Sequence, residues 1–400
     1  MPQVMLVKLS DLATTAFDAV NVTNAEIASA VIDDGKSVKQ MTGTLGLLVH
    51  GVTNVGGICC DYSGNTYITD PAQHIVVKVS ESGNVNVIAG IMGTSGRNGT
   101  KQRVPVGSTT GPSGNVGPAL FNAPRGICCD KSGNLYVADS GNNQIRKITL
   151  DGYVDVIAGN GSGSAGLVDA AIDPLQSMFS NPTAITVDNS GVLYVTDTGN
   201  HAIRRIGANS GYIGVTGSTS GVVSTIAGGA AGNDDNCKAT KITGVNAIFN
   251  GPNGIAADAK GNLFIADNTN RKIKKIGFSQ KGGKSFGTSQ VVAQGASWVF
   301  LHSGAGTAGR SLGTAATSTV AAHKADTCQY GSFPIAGIAI DRYGYLYVID
   351  GTRGDERLLK VDPNGVPSVI CDFTQADTYR AKLAGVAVSP AQKVFVCITA

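Results

Sequence analysis

Two vicinal cysteine pairs, Cys59-Cys60 and Cys128-Cys129, offer the most obvious chemistry in the chain. Paired thiols invite a metal or redox centre. Neighbours on a strand point to opposite faces, however, so neither pair can close on one ion as a claw. Cys237, Cys328, Cys371 and Cys397 are widely spaced without a C-x-x-C, so no zinc site is indicated. Gly161-Ser162-Gly163-Ser164-Ala165-Gly166 fits the glycine spacing of a dinucleotide loop. That chemistry needs a strand before the loop and a helix with a parallel strand after it, whereas this loop lies between antiparallel units. The main basic run is Arg271-Lys272-Ile273-Lys274-Lys275, followed by Lys281 and Lys284. A nucleic-acid footprint gathers such cations with stacking aromatics. Here the alternation reads instead as a solvated strand face, so nucleic acid is not the expected partner.

The elements that must position these residues follow from a repeat. The stretch Gly57-Ile58-Cys59-Cys60-Asp61 recurs in frame at Gly126-Ile127-Cys128-Cys129-Asp130, Ala184-Ile185-Thr186-Val187-Asp188 and Gly254-Ile255-Ala256-Ala257-Asp258. It recurs again at Gly337-Ile338-Ala339-Ile340-Asp341 and, degenerate, at Gly385-Val386-Ala387-Val388-Ser389. Three residues after these anchors stand Gly64, Gly133, Gly191, Gly261, Gly344 and then Gln392. Six residues after them stand Tyr67, Tyr136, Tyr194, Phe264, Tyr347 and Phe395. Nine residues after them stand Asp70, Asp139, Asp197, Asp267 and Asp350, with Ile398 ending the series. The recurring aspartates read as turn caps, not as five catalytic acids. In this frame the paired cysteines replace Ala256-Ala257, Thr186-Val187 and Ala339-Ile340, so they read as small buried hydrophobes.

Each unit reads as four strands. The first is apolar on both faces, and a glycine-bearing turn leads to a β-branched, aromatic second strand. The third alternates, as in Gln144-Ile145-Arg146-Lys147-Ile148, and is expected to be half exposed. The fourth is Val87-Ile88-Ala89-Gly90, Val156-Ile157-Ala158-Gly159 or Thr225-Ile226-Ala227-Gly228. Four-stranded units repeated radially make a β-propeller. The expected fold is therefore all-β, a six-bladed β-propeller over residues 36–400. The sixth unit stops at Ala400 after its second strand, which would leave a long unpaired edge. Val38-Lys39-Gln40-Met41 and Leu47-Leu48-Val49-His50-Gly51 are expected to supply its third and fourth strands. The sixth blade then comprises 382–400 plus 36–51, and residues 1–35 remain as an N-terminal arm, a docking element or a flap.

Composition agrees. Of 400 residues, 42% are apolar and 15% charged, with 54 glycines and a net charge of +3. Disorder, collagen, a coiled coil and binding driven by bulk charge are all disfavoured. Eight cysteines in this length do not make a disulfide scaffold. The start of the chain has no basic-then-apolar leader and no apolar run spans a bilayer. The expected location is therefore the cytoplasm or a virion, without membrane contact.

Gly133-Asn134-Leu135-Tyr136-Val137-Ala138-Asp139-Ser140-Gly141-Asn142-Asn143-Gln144-Ile145-Arg146-Lys147-Ile148 resembles the NHL repeat, as does Gly191 to Ile206. The connector Ile157-Ala158-Gly159-Asn160-Gly161 leading to Phe179-Ser180-Asn181-Pro182 is similar as well. The resemblance implies an NHL-type propeller and a structural role for His201. Members with lyase activity hold a metal with histidines in the central cavity. Among His50, His74, His201, His302 and His323 no such set is visible. Lactonase relatives need acidic and amide calcium ligands at the channel mouth. The positions entering the first strands are Gly56, Arg125, Thr183, Asn253, Ala336 and Ala384, a ring without a carboxylate that would hold a hard cation poorly.

Arg125, Thr183 and Asn253 are the candidate channel-mouth ligand contacts. The long excursions 91–120 and 278–332 are candidate binding loops, the second carrying Trp298, Phe300 and His302 as an interaction surface. No catalytic, cofactor-binding or metal-binding residue is assigned. The expected function is a non-enzymatic structural or binding propeller in a large assembly such as a phage or virus particle. Its arm would dock on other subunits and its loops would meet a carbohydrate or host surface. The alternatives are a metal-dependent lyase or lactonase working in the channel, and a carbohydrate- or peptide-binding sensor or adaptor.

Overall fold

The computed structural model describes residues 4–9, 39–41, 44–49, 52–97, 104–105, 119–207, 223–232, 242–243, 247–278, 297–303, 335, 337–350, 357–365, 367–372 and 382–399. The fold is an all-β propeller. Among the described residues the strands form six antiparallel sheets. The first strands of these sheets, beginning with Gly57–Cys60 and Pro124–Cys129 and ending with Lys382–Val388, neighbour one another in a closed cycle. Apolar layers fill the space between successive sheets.

The anchor residues explain the repeat in local terms. Asp61 Oδ1 accepts from the Ser63 and Asn65 N–H groups, and Asp61 Oδ2 accepts from the Tyr67 hydroxyl at 2.9 Å. Asp130, Asp188 and Asp341 repeat the arrangement with Tyr136, Tyr194 and Tyr347. Gly64 closes the turn at φ +84°, a region open to glycine. The Asp, Gly and Tyr spacing is thus one hydrogen-bonded turn, joining first strand to second.

The second aspartate series does more than cap a turn. Asp139 Oδ1 accepts from the Asn122 N–H at 2.8 Å, tying the second strand to the connector that enters the first. Its Oδ2 meets Arg146 at 3.2 Å and Asn142 at 2.8 Å. Asp197–Arg204, Asp267–Lys274 and Asp350–Arg357 repeat the ion pair at 2.8, 2.8 and 2.7 Å. Arg146, Arg204 and Lys274 lie over Phe121, Phe179 and Phe249. Burial outweighs Arg146 and holds the Asp139 carboxyl above its ordinary value, while burial also lowers Arg146.

These pairs correct the reading of the third strand. Lys272 and Lys274 are 1% and 0% exposed, so the run at 271–275 is not a solvated strand face. Alternation survives, but the face expected in water packs instead against aspartate and phenylalanine. Lys275 stacks on Phe264, as Lys147 does on Tyr136.

The last sheet is closed differently from the expectation. Its strand order runs from Lys382–Val388 through Val394–Thr399 to Val4–Leu9, then Thr44–Val49 and Lys39–Met41. The third strand is therefore Val4–Leu9, paired from Val4↔Thr399 to Leu9↔Val394, and Lys39–Met41 is a fifth, outermost strand. The start of the supposed arm is part of the propeller. The physical reason is burial: Val4 and Leu6 enter the cluster formed by Ile68, Ile75 and Val77 of the first sheet. Residues 10–38 lie outside the described residues.

The two excursions also contribute strands. Val104–Pro105 adds a fifth strand to the second sheet, against Tyr153 and Val154. Ser297–Ser303 is the fourth strand of its sheet, opposite Lys272–Phe278. Trp298, Phe300 and His302 thus belong to a strand, not to a loop surface. His302 occupies the bulged position between partners Ile273↔Ser303 and Lys274↔Leu301. Ile157 and Ile226 sit at the same bulge in their own sheets.

Candidate functional site

The six first strands surround a cavity of about 250 Å³ on the propeller axis. They approach closely at one end because glycine stands there. A Cβ on Gly126 would lie 2.6 Å from the Ala184 Cα, and one on Gly57 would lie 2.7 Å from the Arg125 carbonyl oxygen. Side chains at these positions would force neighbouring sheets apart.

Bulges shape the same end. Pro182↔Asp197 is followed by Ala184↔Thr196, leaving Thr183 as the extra residue. Pro252↔Asp267 and Gly254↔Ala266 do the same for Asn253, and Pro124↔Asp139 and Ile127↔Val137 bracket Arg125 and Gly126. Bulges re-aim side chains, and repetition around the ring turns a register irregularity into a ring of presented groups. The three candidate contacts are therefore equivalent in register, although their surroundings differ.

Thr183 is buried and lines the cavity, but its hydroxyl is engaged by Thr196 at 3.2 Å and by Thr198. Asn253 lines the cavity too. Its Nδ2 donates to the Ile335 carbonyl at 3.0 Å, whereas its buried Oδ1 has no hydrogen-bond partner among the described residues. Arg125 is exposed and does not form part of the wall; its carbonyl accepts from Thr69 Oγ1. The structure thus brings Thr183 and Asn253 to the cavity and leaves Arg125 beside its mouth. Ala336 lies outside the described residues.

Among the described residues the cavity wall carries no carboxylate or imidazole, and its titratable groups are Cys59, Cys60, Cys128 and Cys129. All four thiols are free. Burial raises Cys59 and Cys128 well above the ordinary thiol value and pushes Cys60 and Cys129 up to about 12. Neutral thiols are poor nucleophiles and poor metal ligands. No group of three or more His, Cys, Asp or Glu among the described residues is placed to hold an ion.

Two histidines serve the scaffold. His74 Nδ1 accepts from the Ala123 N–H at 3.0 Å, and His201 Nδ1 accepts from the Gly251 N–H at 3.0 Å. Asn143 Oδ1 plays the same part for the Asn181 N–H. All three are left-handed residues that link one sheet to the connector of the next.

Comparison with known proteins adds the family. A family model described as the NHL repeat matches residues 121–148, and one described as the Teneurin NHL domain matches residues 164–277. The chain carries NHL repeats. This NHL-repeat chain is 26% identical over 263 residues to Teneurin-3 of Danio rerio, covering 63% of the chain and 9% of that protein. It is 36% identical over 93 residues to Protein SUPPRESSOR OF QUENCHING 1, chloroplastic, of Arabidopsis thaliana, covering 23% of the chain and 8% of that protein. It is 25% identical over 158 residues to NHL repeat-containing protein 3 of Homo sapiens, covering 38% of the chain and 37% of that protein. The matched region thus spans less than a tenth of the first two relatives. A solved gluconolactonase from Xanthomonas campestris aligns over 98% of this chain and 100% of its own at 12% identity and a TM-score of 0.49. A likeness of that size carries no argument about activity.

Proposed function

We propose that this NHL-repeat chain is a non-enzymatic binding module, a six-bladed propeller whose ligand contacts gather at the Thr183–Asn253 end of the central cavity. One observation carries the reading. The described wall supplies hydrogen-bonding groups, including the unpaired Asn253 Oδ1, but no side chain able to exchange a proton near neutral pH. General acid–base work needs a group whose pKa lies near the working pH, and the thiols are held far above it. A buried, unsatisfied amide oxygen is instead a ready acceptor for a hydroxyl or amide donor on a ligand. A carbohydrate or a peptide has such donors. Arg125 would add a charged contact at the rim.

Membership of a large assembly such as a phage particle is a narrower form of this proposal. Its docking element would not be Val4–Leu9, which is consumed inside the last sheet.

Screening the full chain on glycan and peptide arrays, with Asn253→Ala and Arg125→Ala beside it, tests the reading. Saturable binding weakened about tenfold or more by Asn253→Ala supports it; a lost hydrogen bond in a dry site has that size. Turnover of a lactone, or stoichiometric calcium or zinc in the purified chain, would overturn it.

A further inference from the structure

The cavity thiols fall into opposed positions. Cys59 packs on the layer between the first and second sheets, with Tyr67 and Phe121. Cys129 packs on the same layer from the other side, beside Ile127 and Leu135. Cys128 turns away into the layer between the second and third sheets, with Ile185 and Val195. Cys60 shares the face of Ile58 by alternation, toward the closing sheet where Cys397 is buried. Cys59 and Cys129 therefore stand on facing walls of one layer, both at the cavity surface and both free.

We propose that Cys59 and Cys129 are an oxidisable pair that joins the first and second sheets by a disulfide when a peroxide enters the central cavity. The Cys59 thiolate attacks one peroxide oxygen and the O–O bond breaks, leaving a sulfenic acid and one water once the released hydroxide is protonated. The Cys129 thiolate then attacks the sulfenic sulfur, the S–O bond breaks, and a second water leaves. Two thiols lose two electrons in total, and one hydrogen peroxide is reduced to two waters.

The surroundings favour this product over a metal adduct. A bound metal would need both thiols held as thiolates where burial disfavours the ionised form, whereas a disulfide needs no standing charge. Hydrogen peroxide is little larger than water, whose share of liquid volume is about 30 Å³, so the cavity admits it. The high thiol values make the reaction slow at neutral pH. The pair would record sustained exposure to peroxide, not a brief pulse. The bond would tie neighbouring sheets that otherwise hold by packing and hydrogen bonds.

The test exposes the full chain to hydrogen peroxide, digests it without reductant and maps linked peptides by mass spectrometry. The expected result is a Cys59–Cys129 link that dithiothreitol reverses. Its rate of formation should rise about tenfold per pH unit from about pH 7 to 10, because the thiolate fraction does. Cys129→Ala should abolish the link, while Cys128→Ala and Cys397→Ala should leave it. Links from Cys59 to Cys60, Cys128 or Cys397, or Cys59 oxidised to sulfinic acid without a link, would overturn the proposal. So would a rate that levels off near pH 9, as an exposed thiol's does. The map on the unaltered chain decides the matter even where a variant fails to fold.

Discussion

Removing the strand Val4–Leu9 should open the ring. Val4 is 0% and Leu6 5% exposed, and both pack on Ile68, Ile75 and Val77 across the seam between last and first sheets. The strand also pairs six residues with Val394–Thr399 on one side and six with Thr44–Val49 on the other. Leu6→Ala removes buried carbons and leaves a partial cavity, at a cost of about 2–5 kcal/mol. Deleting residues 1–9 removes both buried side chains and roughly twelve ladder hydrogen bonds, about six to each neighbouring strand, at about 1 kcal/mol each. The sum, on the order of 20 kcal/mol, exceeds the whole stability of an ordinary domain. Urea unfolding followed by circular dichroism measures the first variant; native-state hydrogen exchange at residues 394–399 reads the second. Leu150→Ala, at a side chain 76% exposed, is the control and should stay within about 0.5 kcal/mol. A deletion variant with unchanged melting and unchanged protection of 394–399 would refute the closure and return the third-strand place to Val38–Met41.

Asp139→Ala should cost about 3–5 kcal/mol, because it strands the buried Arg146 charge; chemical denaturation measures it. Asp139→Leu with Arg146→Met should recover much of that loss, since it removes both charges together. His74→Leu should cost about 1–3 kcal/mol by orphaning the Ala123 N–H, while His74→Asn should cost little, as Asn143 already fills that role. Gly126→Ala should be poorly tolerated in a thermal melt, because its Cβ would collide with Ala184 backbone. The thiols give a pH dependence of definite sign. Burial raises Cys60 and Cys129 to about 12, so the folded chain holds these protons more tightly than the unfolded one. Their stabilising effect is complete below about pH 8.5, the ordinary thiol value, and is lost as pH rises toward 12. Cys129→Ala should flatten the alkaline fall of the urea midpoint over that range.

What the sequence disclosed and what it hid divide along the length of the interactions. The Asp61, Gly64, Tyr67 register was readable because one turn uses all three within six residues of the anchor. Closure of the last sheet by N-terminal strands was readable too, but its third strand was not, since Leu9↔Val394 joins segments nearly a chain length apart. Val4–Leu9 and Val38–Met41 are both strand-like in sequence, and only burial against Ile68 and Ile75 separates them. The Trp298 region hid for a different reason. Leu301-His302-Ser303-Gly304 holds the place of Val-Ile-Ala-Gly, but a histidine at the bulge disguises it. At the cavity, equal spacing made Arg125, Thr183 and Asn253 look alike. Their hydrogen-bond partners, contributed by neighbouring elements, set them apart.

The third strand shows that a usable signal can stand in plain sight. Arg146, Arg204, Lys274 and Arg357 each follow an aspartate of the second series by seven residues. Asp70 is followed at that distance by Val77, and it spends its carboxylate on five backbone and hydroxyl donors: the Thr53, Asn54, Ala72 and Gln73 N–H groups and the Thr53 hydroxyl. The carboxylate is satisfied in either case, by a cation where the third strand supplies one and by the connector where it does not. Polarity alternating along a strand therefore does not establish that the polar face meets water. A cation at fixed distance from a recurring acid is the stronger observation, because a buried charge survives only with a partner. The same logic predicts the effect of grafting: Val77→Arg should be tolerated only if the Asp70 carboxylate is released from the connector, and a melting temperature unchanged by that single substitution would refute it.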